Sequence, residues 1–373
     1  MKIAYTVCTA SYLAHAKTLA DSFIEHNPDY IFYIGLLDRI DERFDEAFFA
    51  PHSIVEVAHW QIPYFAEMNE RYTVFELSNA MKPYFAAYLL KEYSNAQLLI
   101  FLDSDIMVFG SFEHIEQVLQ THSIALTPHI LTPIHEDGLS PRESEFLNSG
   151  TFNAGFLAIK NDSMGRKFLT WFKEKLRDKC RMRLEEGYFV DQKWLNLVPT
   201  LFEGVYYVRH RGYNVAQFNL HERYMSQVDD KFYVNEKEPL VFYHFTGYDL
   251  NQPQSISRYQ TRFSIDYRTD IKVFLDIYQH SLQNNNASFY TNLPYIYQQI
   301  KNVKNAYSQT VEQQALAEQQ QQLVQIVSQT VSEAVRLEAE ILIQTVKDEV
   351  AQIYAQTWTA RLRNKMRNIF HQR

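Results

Sequence analysis

Only two cysteines, Cys8 and Cys180, occur in 373 residues. Cys8 lies in an apolar, strand-like run and Cys180 among basic residues. This excludes a disulfide framework and a cysteine-built metal site, and it makes a reducing cytoplasm the simplest compartment. No run approaches the roughly 20 apolar residues that a membrane-spanning helix needs. The opening Met1-Lys2-Ile3-Ala4-Tyr5-Thr6-Val7 is too short and too polar for a signal peptide. Positive charge is also scarce. With 36 Lys and Arg against 44 Asp and Glu, the formal net charge is −8, which argues against a general nucleic-acid binder.

What is present suffices for a large core. Hydrophobic residues make up 46% and aromatics 15% of the chain. The length allows one large α/β domain plus an appendage, or two domains. Ile3 to Thr9 reads as a first strand, with Ser11 placed to cap a helix over Leu13 to Phe23. Tyr30 to Leu37 and Ile54 to Trp60 read as two further strands. Strand, helix, strand is the order of a βαβ unit in a parallel sheet. Phe65 to Tyr93 reads as helix, broken near Pro83. Further on, the spacing predicts helices over Phe112–Gln120, Met164–Arg177 and Tyr188–Leu197. Ser123–Thr127, Phe152–Ile159, Val205–Val208 and Leu240–Phe245 read as strands. Residues 128–145 carry three prolines, two histidines and several acids, the chemistry of a loop that can act as a lid.

The chain is organised around Leu98-Leu99-Ile100-Phe101-Leu102-Asp103-Ser104-Asp105. Five apolar residues have the length and composition of a strand buried on both faces. Asp103 and Asp105 then stand at its carboxyl end, where open α/β sheets bind ligands. Unpaired carboxylates beside a buried strand are costly to desolvate, and a divalent cation held by both removes that cost. Hard oxygen ligands suit Mg²⁺ or Mn²⁺. Taken alone, the tripeptide reads better as a solvated turn whose two acids cap the next helix; the preceding strand and the downstream matches reverse that.

After about residue 285 glycine disappears and glutamine becomes abundant. Leu316, Leu323, Val327, Val331, Ala334, Leu337, Ile341, Thr345, Val346, Val350 and Ile353 keep close to heptad spacing. This predicts a long helix, either packed on the catalytic domain or paired with a second copy as a coiled coil; glutamines 319–322 interrupt its seam. At residues 358–373, Trp358, Leu362, Met366, Ile369 and Phe370 can share one face. Arg361, Arg363, Lys365, Arg367 and Arg373 add positive charge. That segment suits either an anionic membrane surface or a solvated helix end favoured by the macrodipole.

Four blocks in order resemble the nucleotide-sugar glycosyltransferases of the GT-A fold, and family 8 in particular, the glycogenin and galactosyltransferase-like group. The first is Tyr5 to Tyr12. The second joins Asn79-Ala80-Met81-Lys82-Pro83-Tyr84 to Asp103-Ser104-Asp105, similar to the family's basic helix residue and Asp-x-Asp motif. The third joins Asn148–Gly155 to Asp191-Gln192-Lys193-Trp194-Leu195-Asn196. The fourth is Tyr243-His244-Phe245-Thr246-Gly247, which resembles the His-Phe-x-Gly element. The family's lysine beyond that element is missing, since Tyr248-Asp249-Leu250 follow. How the leaving diphosphate is held is therefore left open.

The resemblance implies an α/β fold with a mostly parallel, Rossmann-like sheet flanked by helices. It covers roughly residues 1–250, within an expected catalytic domain over residues 1–285, leaving 286–373 as a helical extension. The implied reaction is metal-dependent transfer of a hexosyl group from a nucleoside-diphosphate sugar, UDP-sugar favoured, to a hydroxyl acceptor (glycan, lipid-linked or protein). Retention of configuration is expected. Asp103, Asp105 and His244 would hold Mn²⁺ or Mg²⁺, with the imidazole favouring Mn²⁺. Thr9, Ala10, Ser11, Tyr12, Lys82, Asp103, Ser104 and Gly247 would meet the donor. Asn153, Asp191 and Gln192 would surround the transferred sugar. Lys82 also reads as a solvated helix lysine, His244 as a strand-end histidine, and Asp191-Gln192 as a helix start. Arg209, His210 and Arg211 read as a surface cluster. A nucleotidyltransferase is the rival enzyme, but residues 8–17 lack its glycine-rich phosphate loop. An inactive scaffold that binds a partner through the long helix is the other alternative.

Overall fold

The computed structural model describes residues 1–42, 44–333, 347–355, 357–359 and 361. It divides into a compact unit, Met1–Gln299, and a second unit from Ile300 onward. The first begins β1 (Lys2–Cys8), α1 (Leu13–His26), β2 (Tyr30–Leu36), β3 (Ser53–Glu56), α2 (Phe65–Arg71), α3 (Val74–Glu92), β4 (Leu98–Leu102), β5 (Ile106–Val108) and α4 (Glu113–Thr121). It continues through β6 (Ile124–Pro128), α5 (Glu143–Ser149), β7 (Phe152–Lys160), α6 (Ser163–Lys179), β8 (Met182–Arg183), β9 (Tyr188–Phe189), α7 (Val198–Leu201) and β10 (Val205–Tyr207). The strands β11 (Met225–Val228), β12 (Lys231–Val234), β13 (Glu238–Pro239) and β14 (Phe242–His244) follow. The helices α8 (Thr269–Asn284), α9 (Ala287–Tyr290) and α10 (Ile296–Glu333) close the described order.

Seven strands form one sheet in the order β10-β6-β7-β4-β1-β2-β3. β1 is parallel to both β2 and β4, and β7 alone runs antiparallel to its neighbours β4 and β6. This is the mostly parallel α/β arrangement the resemblance implied. β4 explains the chain's most apolar run: Leu98, Ile100 and Leu102 enter one core, Leu99 and Phe101 the other. The strand order reverses around β1, so the carboxyl ends of β1 and β4 flank a crevice.

Several local expectations are corrected. The long helix breaks at Tyr72–Thr73, where Thr73 and Glu76 form a capping box, and α3 runs unbroken through Pro83. Buried Met81, Phe85 and Leu89 hold that turn although the proline donates no hydrogen bond. Ser11 caps nothing; its hydroxyl lies 3.0 Å from that of Thr9. The predicted helix over Tyr188–Leu197 is instead β9 followed by a 3₁₀ turn, Gln192–Leu197. The 128–145 loop is tied down, with Leu131 donating to Glu222 and Arg262 paired with Asp137.

The chain stays with the first unit beyond residue 285. Tyr290 packs against Phe44 and Phe49, and the Tyr295 hydroxyl donates to Asn69 at 2.9 Å. Both cysteines are buried and free. Among the described residues, no helix is long and apolar enough to cross a membrane. α10 leaves Val303, Tyr307, Val311 and Val324 exposed. Seam positions Ala334, Leu337, Ile341, Thr345 and Val346, and terminal Leu362, Met366, Ile369 and Phe370, lie outside the described residues.

Candidate active site

The tertiary fold brings His244 to the acid pair through a short strand pairing. β5 leaves the Asp103–Asp105 turn and pairs antiparallel with β14, setting His244 opposite Ile106. Asp105 carbonyl oxygen accepts from Phe245 N at 2.8 Å, and Asp103 N donates to Gly155 O at 2.9 Å. A Cβ on Gly155 would fall 2.4 Å from His244 Cε1, so only glycine admits the imidazole here. One ligand atom from each of Asp103, Asp105 and His244 lies within 4.8 Å of the others. His244 Nε2 is 3.1 Å from Asp105 Oδ1. Burial pulls the imidazole's pKa down, but Asp105 outweighs it and the net direction is up. Burial pushes Asp105 up, His244 outweighs that, and its carboxyl ends below the usual range.

The donor set suits a hard or borderline divalent cation. His244 Nδ1 lies 3.1 Å from Asn214 Oδ1, whose amide nitrogen in turn donates to Thr127 Oγ1 and Asn153 Oδ1. Asn214 therefore accepts from Nδ1, and Nε2 is the nitrogen turned toward Asp105, the position a cation would take by displacing the Nε2 proton. Two oxygens and one imidazole nitrogen then face one point, a set that fits Mn²⁺ better than Mg²⁺.

On the adjoining wall Lys82 is buried, 6% exposed, and its Nζ stands 3.0 Å from both Asp103 Oδ1 and Asp191 Oδ2. This overturns the solvated-lysine reading. Burial would lower its pKa, but the two carboxylates raise it, so it stays charged. Asp191 is pushed up to about 6 by burial and by Asp103, against the pull of Lys82. It caps no helix. Val190 precedes it at φ 41, a left-handed conformation that a β-branched residue adopts at a cost of about 1–3 kcal/mol.

Asn153 links the two walls. It donates to His129 Nε2 and Gln192 Oε1, both at 3.2 Å, and accepts from Gly155 N and Asn214. Gln192 Oε1 also accepts from Ala154 N at 3.3 Å, and its amide donates to Ser149 O at 3.2 Å. Among the described residues, six buried atoms of cleft residues lack a partner: His15 Nδ1, His129 Nδ1, Asp191 Oδ1, Gln217 Oε1 and the hydroxyls of Tyr248 and Tyr278. Burial lowers His129 to about 4, so it is neutral.

These groups line one cleft of about 620 Å³. Tyr12, Lys82, Asp103, Asp105, Asn153, Asp191, Gln192, His244 and Gly247 are on its wall. Thr9, Ala10, Ser11 and Ser104 stand on the adjoining turns, and not on that wall. Arg209 and His210 stand apart from it, and Arg211 pairs with Glu238. Sequence reasoning missed Asn214, His129, Gln217 and Arg258. No motif marks them, because each arrives from a loop distant in sequence.

An acid pair at the carboxyl end of a mostly parallel sheet faces a buried lysine and a histidine across one cleft of an α/β protein. The model of glycosyl transferase family 8 matches residues 3–249. The chain belongs to that family and is a glycosyltransferase. It is 26% identical over 279 residues to the uncharacterized protein YfnF of Bacillus subtilis (strain 168), covering 74% of this chain and 90% of that one. Similar solved structures include the galactosyltransferase LgtC in complex with donor and acceptor sugar analogues. That likeness has 14% identity and a TM-score of 0.45 over 80% of this chain and 99% of that one. GlyE of Streptococcus pneumoniae TIGR4 is 18% identical with a TM-score of 0.43, over 79% and 65% of the respective chains.

Proposed function

We propose that this glycosyltransferase moves a hexosyl group from a nucleoside-diphosphate sugar, with UDP as the favoured nucleotide, to a hydroxyl acceptor, and that it retains anomeric configuration. The observation that carries the reading is the convergence of Asp103, Asp105 and His244 within 4.8 Å on the wall of one large cleft. These three would hold Mn²⁺ or Mg²⁺. When bound, the cation supplies Lewis-acid charge for the departing diphosphate.

The residues of the chain do the rest. The turn Thr9–Tyr12 and Gly247 border the nucleoside side of the cleft. Among the described residues Asp191 Oδ1 and Gln217 Oε1 are buried acceptors without partners, and sugar hydroxyls are donors that would satisfy both. Lys82 holds Asp103 and Asp191 in position through its two contacts at 3.0 Å. The bond from the anomeric carbon to the β-phosphate oxygen breaks with its electron pair on oxygen. The acceptor oxygen bonds the same carbon from the same face, and its proton passes to that phosphate oxygen. Gln192 favours this course over a covalent intermediate, since a carboxamide is a poor nucleophile and its oxygen is engaged by Asn153 and Ala154.

The test is release of nucleoside diphosphate from a panel of nucleotide sugars by the full chain, with Mn²⁺ or with chelator. Mn²⁺-dependent release is expected, fastest with a UDP-sugar. Release that chelator leaves unaltered would remove the metal, and no release from any donor would sink the reading.

A further inference from the structure

The cleft is acid-rich, yet its proposed guest is a dianionic diphosphate. Asp103, Asp105, Glu145 and Asp191 all stand on its wall. Three cationic side chains face them: Lys82, His244 and Arg258. Lys82 is held between two carboxylates at 3.0 Å each, and His244 is held on Asp105 at 3.1 Å. Arg258 is exposed and lies over the Tyr259 ring rather than in an ion pair with an acid among the described residues. Its guanidinium carbon lies 5.0 Å from the Tyr259 ring centroid.

The loop that carries Arg258 is built onto the strand end that carries His244. Arg258 N donates to Gly247 O at 3.0 Å, and Ser257 Oγ donates to Thr246 O at 2.8 Å. Tyr259 N donates to Ser257 Oγ at 3.2 Å. Gly247 has φ +75, and a Cβ there would lie 2.5 Å from both Ser257 Oγ and Tyr259 Cδ2. Only glycine lets this loop come so close. Opposite, Tyr12 at the end of β1 rests on His15, with ring centroids 4.9 Å apart. Tyr12, Arg258 and the acid pair Asp103 and Asp105 all line the same cleft.

We infer that Arg258 binds the β-phosphate of the donor and of the departing nucleoside diphosphate, taking over the charge that no lysine supplies after Gly247. The inference rests on the donor reading above. The guanidinium offers a planar fork of N–H donors that matches two non-bridging phosphate oxygens. The terminal phosphate takes up the electron pair when the glycosidic bond breaks, so Arg258 meets the charge where it grows.

Titration of the full chain with UDP, UMP and uridine in Mn²⁺, by calorimetry, tests this. Arg258→Ala is expected to weaken UDP binding about tenfold or more, with UMP and uridine changed less than threefold. Arg258→Lys should recover part of the loss, because it returns the charge without the fork. Melting temperature should stay constant, since the side chain is exposed. A parent chain that binds UDP while Arg258→Ala binds it equally well overturns the assignment. Equal loss of UDP, UMP and uridine also overturns it, by showing that the loop shapes the nucleoside pocket instead. A parent chain that binds no UDP with Mn²⁺ sinks the donor reading, and this inference falls with it.

Discussion

Two walls of the same cleft hold buried charge in opposite ways. On one, Lys82 sits 3.0 Å from Asp103 and from Asp191, so charge is balanced inside the protein. On the other, Asp105 and His244 meet at 3.1 Å with Asp103 nearby, and the histidine's Nε2 points at the acids. Under the proposed function a cation from outside would complete that wall. Asp103 belongs to both. The lesson is that paired acids in a pocket need not share one job. The same motif supplies an ion pair to a buried lysine on one side and a group of candidate metal ligands on the other.

Substitutions can separate the walls. Asp105→Asn should lower sugar transfer roughly a thousandfold and leave the melting temperature within a degree or two, because it removes a candidate ligand while its carboxamide oxygen can still accept from His244 Nε2. A comparable fall in melting temperature would show that the two walls are alike. Asp191→Ala should do the reverse in a stability assay. It strips Lys82 of one of two partners at 6% exposure, and a loss of about 3 kcal/mol in denaturant unfolding is expected. A change under about 1 kcal/mol would show that water already reaches Lys82.

Asn214→Ala sharpens the first wall. It removes the partner of His244 Nδ1, and the Mn²⁺ concentration needed for half-maximal activity should rise about tenfold. An unaltered metal titration would free the imidazole orientation from Asn214. The smallest effect concerns pH. Asp191 has a folded pKa raised to about 6, above its ordinary value near 3.8. The folded state then binds its proton more tightly than the unfolded state between those two values. Without divalent cation, the parent should lose stability relative to Asp191→Asn as pH rises from about 4 to about 6, and the difference should level off above that. A difference that is flat with pH would return Asp191 to an ordinary carboxylate.

Much of this was legible from residues in order. The run Leu98–Leu102 announces a strand buried on both faces, and the structure feeds its alternate side chains into two cores. Asp103, Asp105, Lys82, Asp191, Asn153 and His244 are all on the cleft. Errors came where local rules compete with packing. Pro83 suggested a break, yet buried neighbours carry the helix through it. Tyr188–Leu197 has a helical spacing, yet Val190 at φ 41 turns the chain before a helix can form. Lys82 looked equally suited to solvent, since nothing in its neighbourhood in sequence declares two distant carboxylates.

The sequence by itself determined the class of chemistry. Residue types fix which atoms can carry charge, and the position of an acid pair after a buried strand fixes where a sheet will present them. Tertiary structure alone decided which charge answers which. Whether Lys82 meets water or acids, whether His244 reaches Asp105, and whether Arg258 stands clear of the acids at the cleft all depend on distances of a few ångströms between segments up to 150 or so residues apart. Coulomb and hydrogen-bond energies fall steeply over such distances, and chain order does not record them.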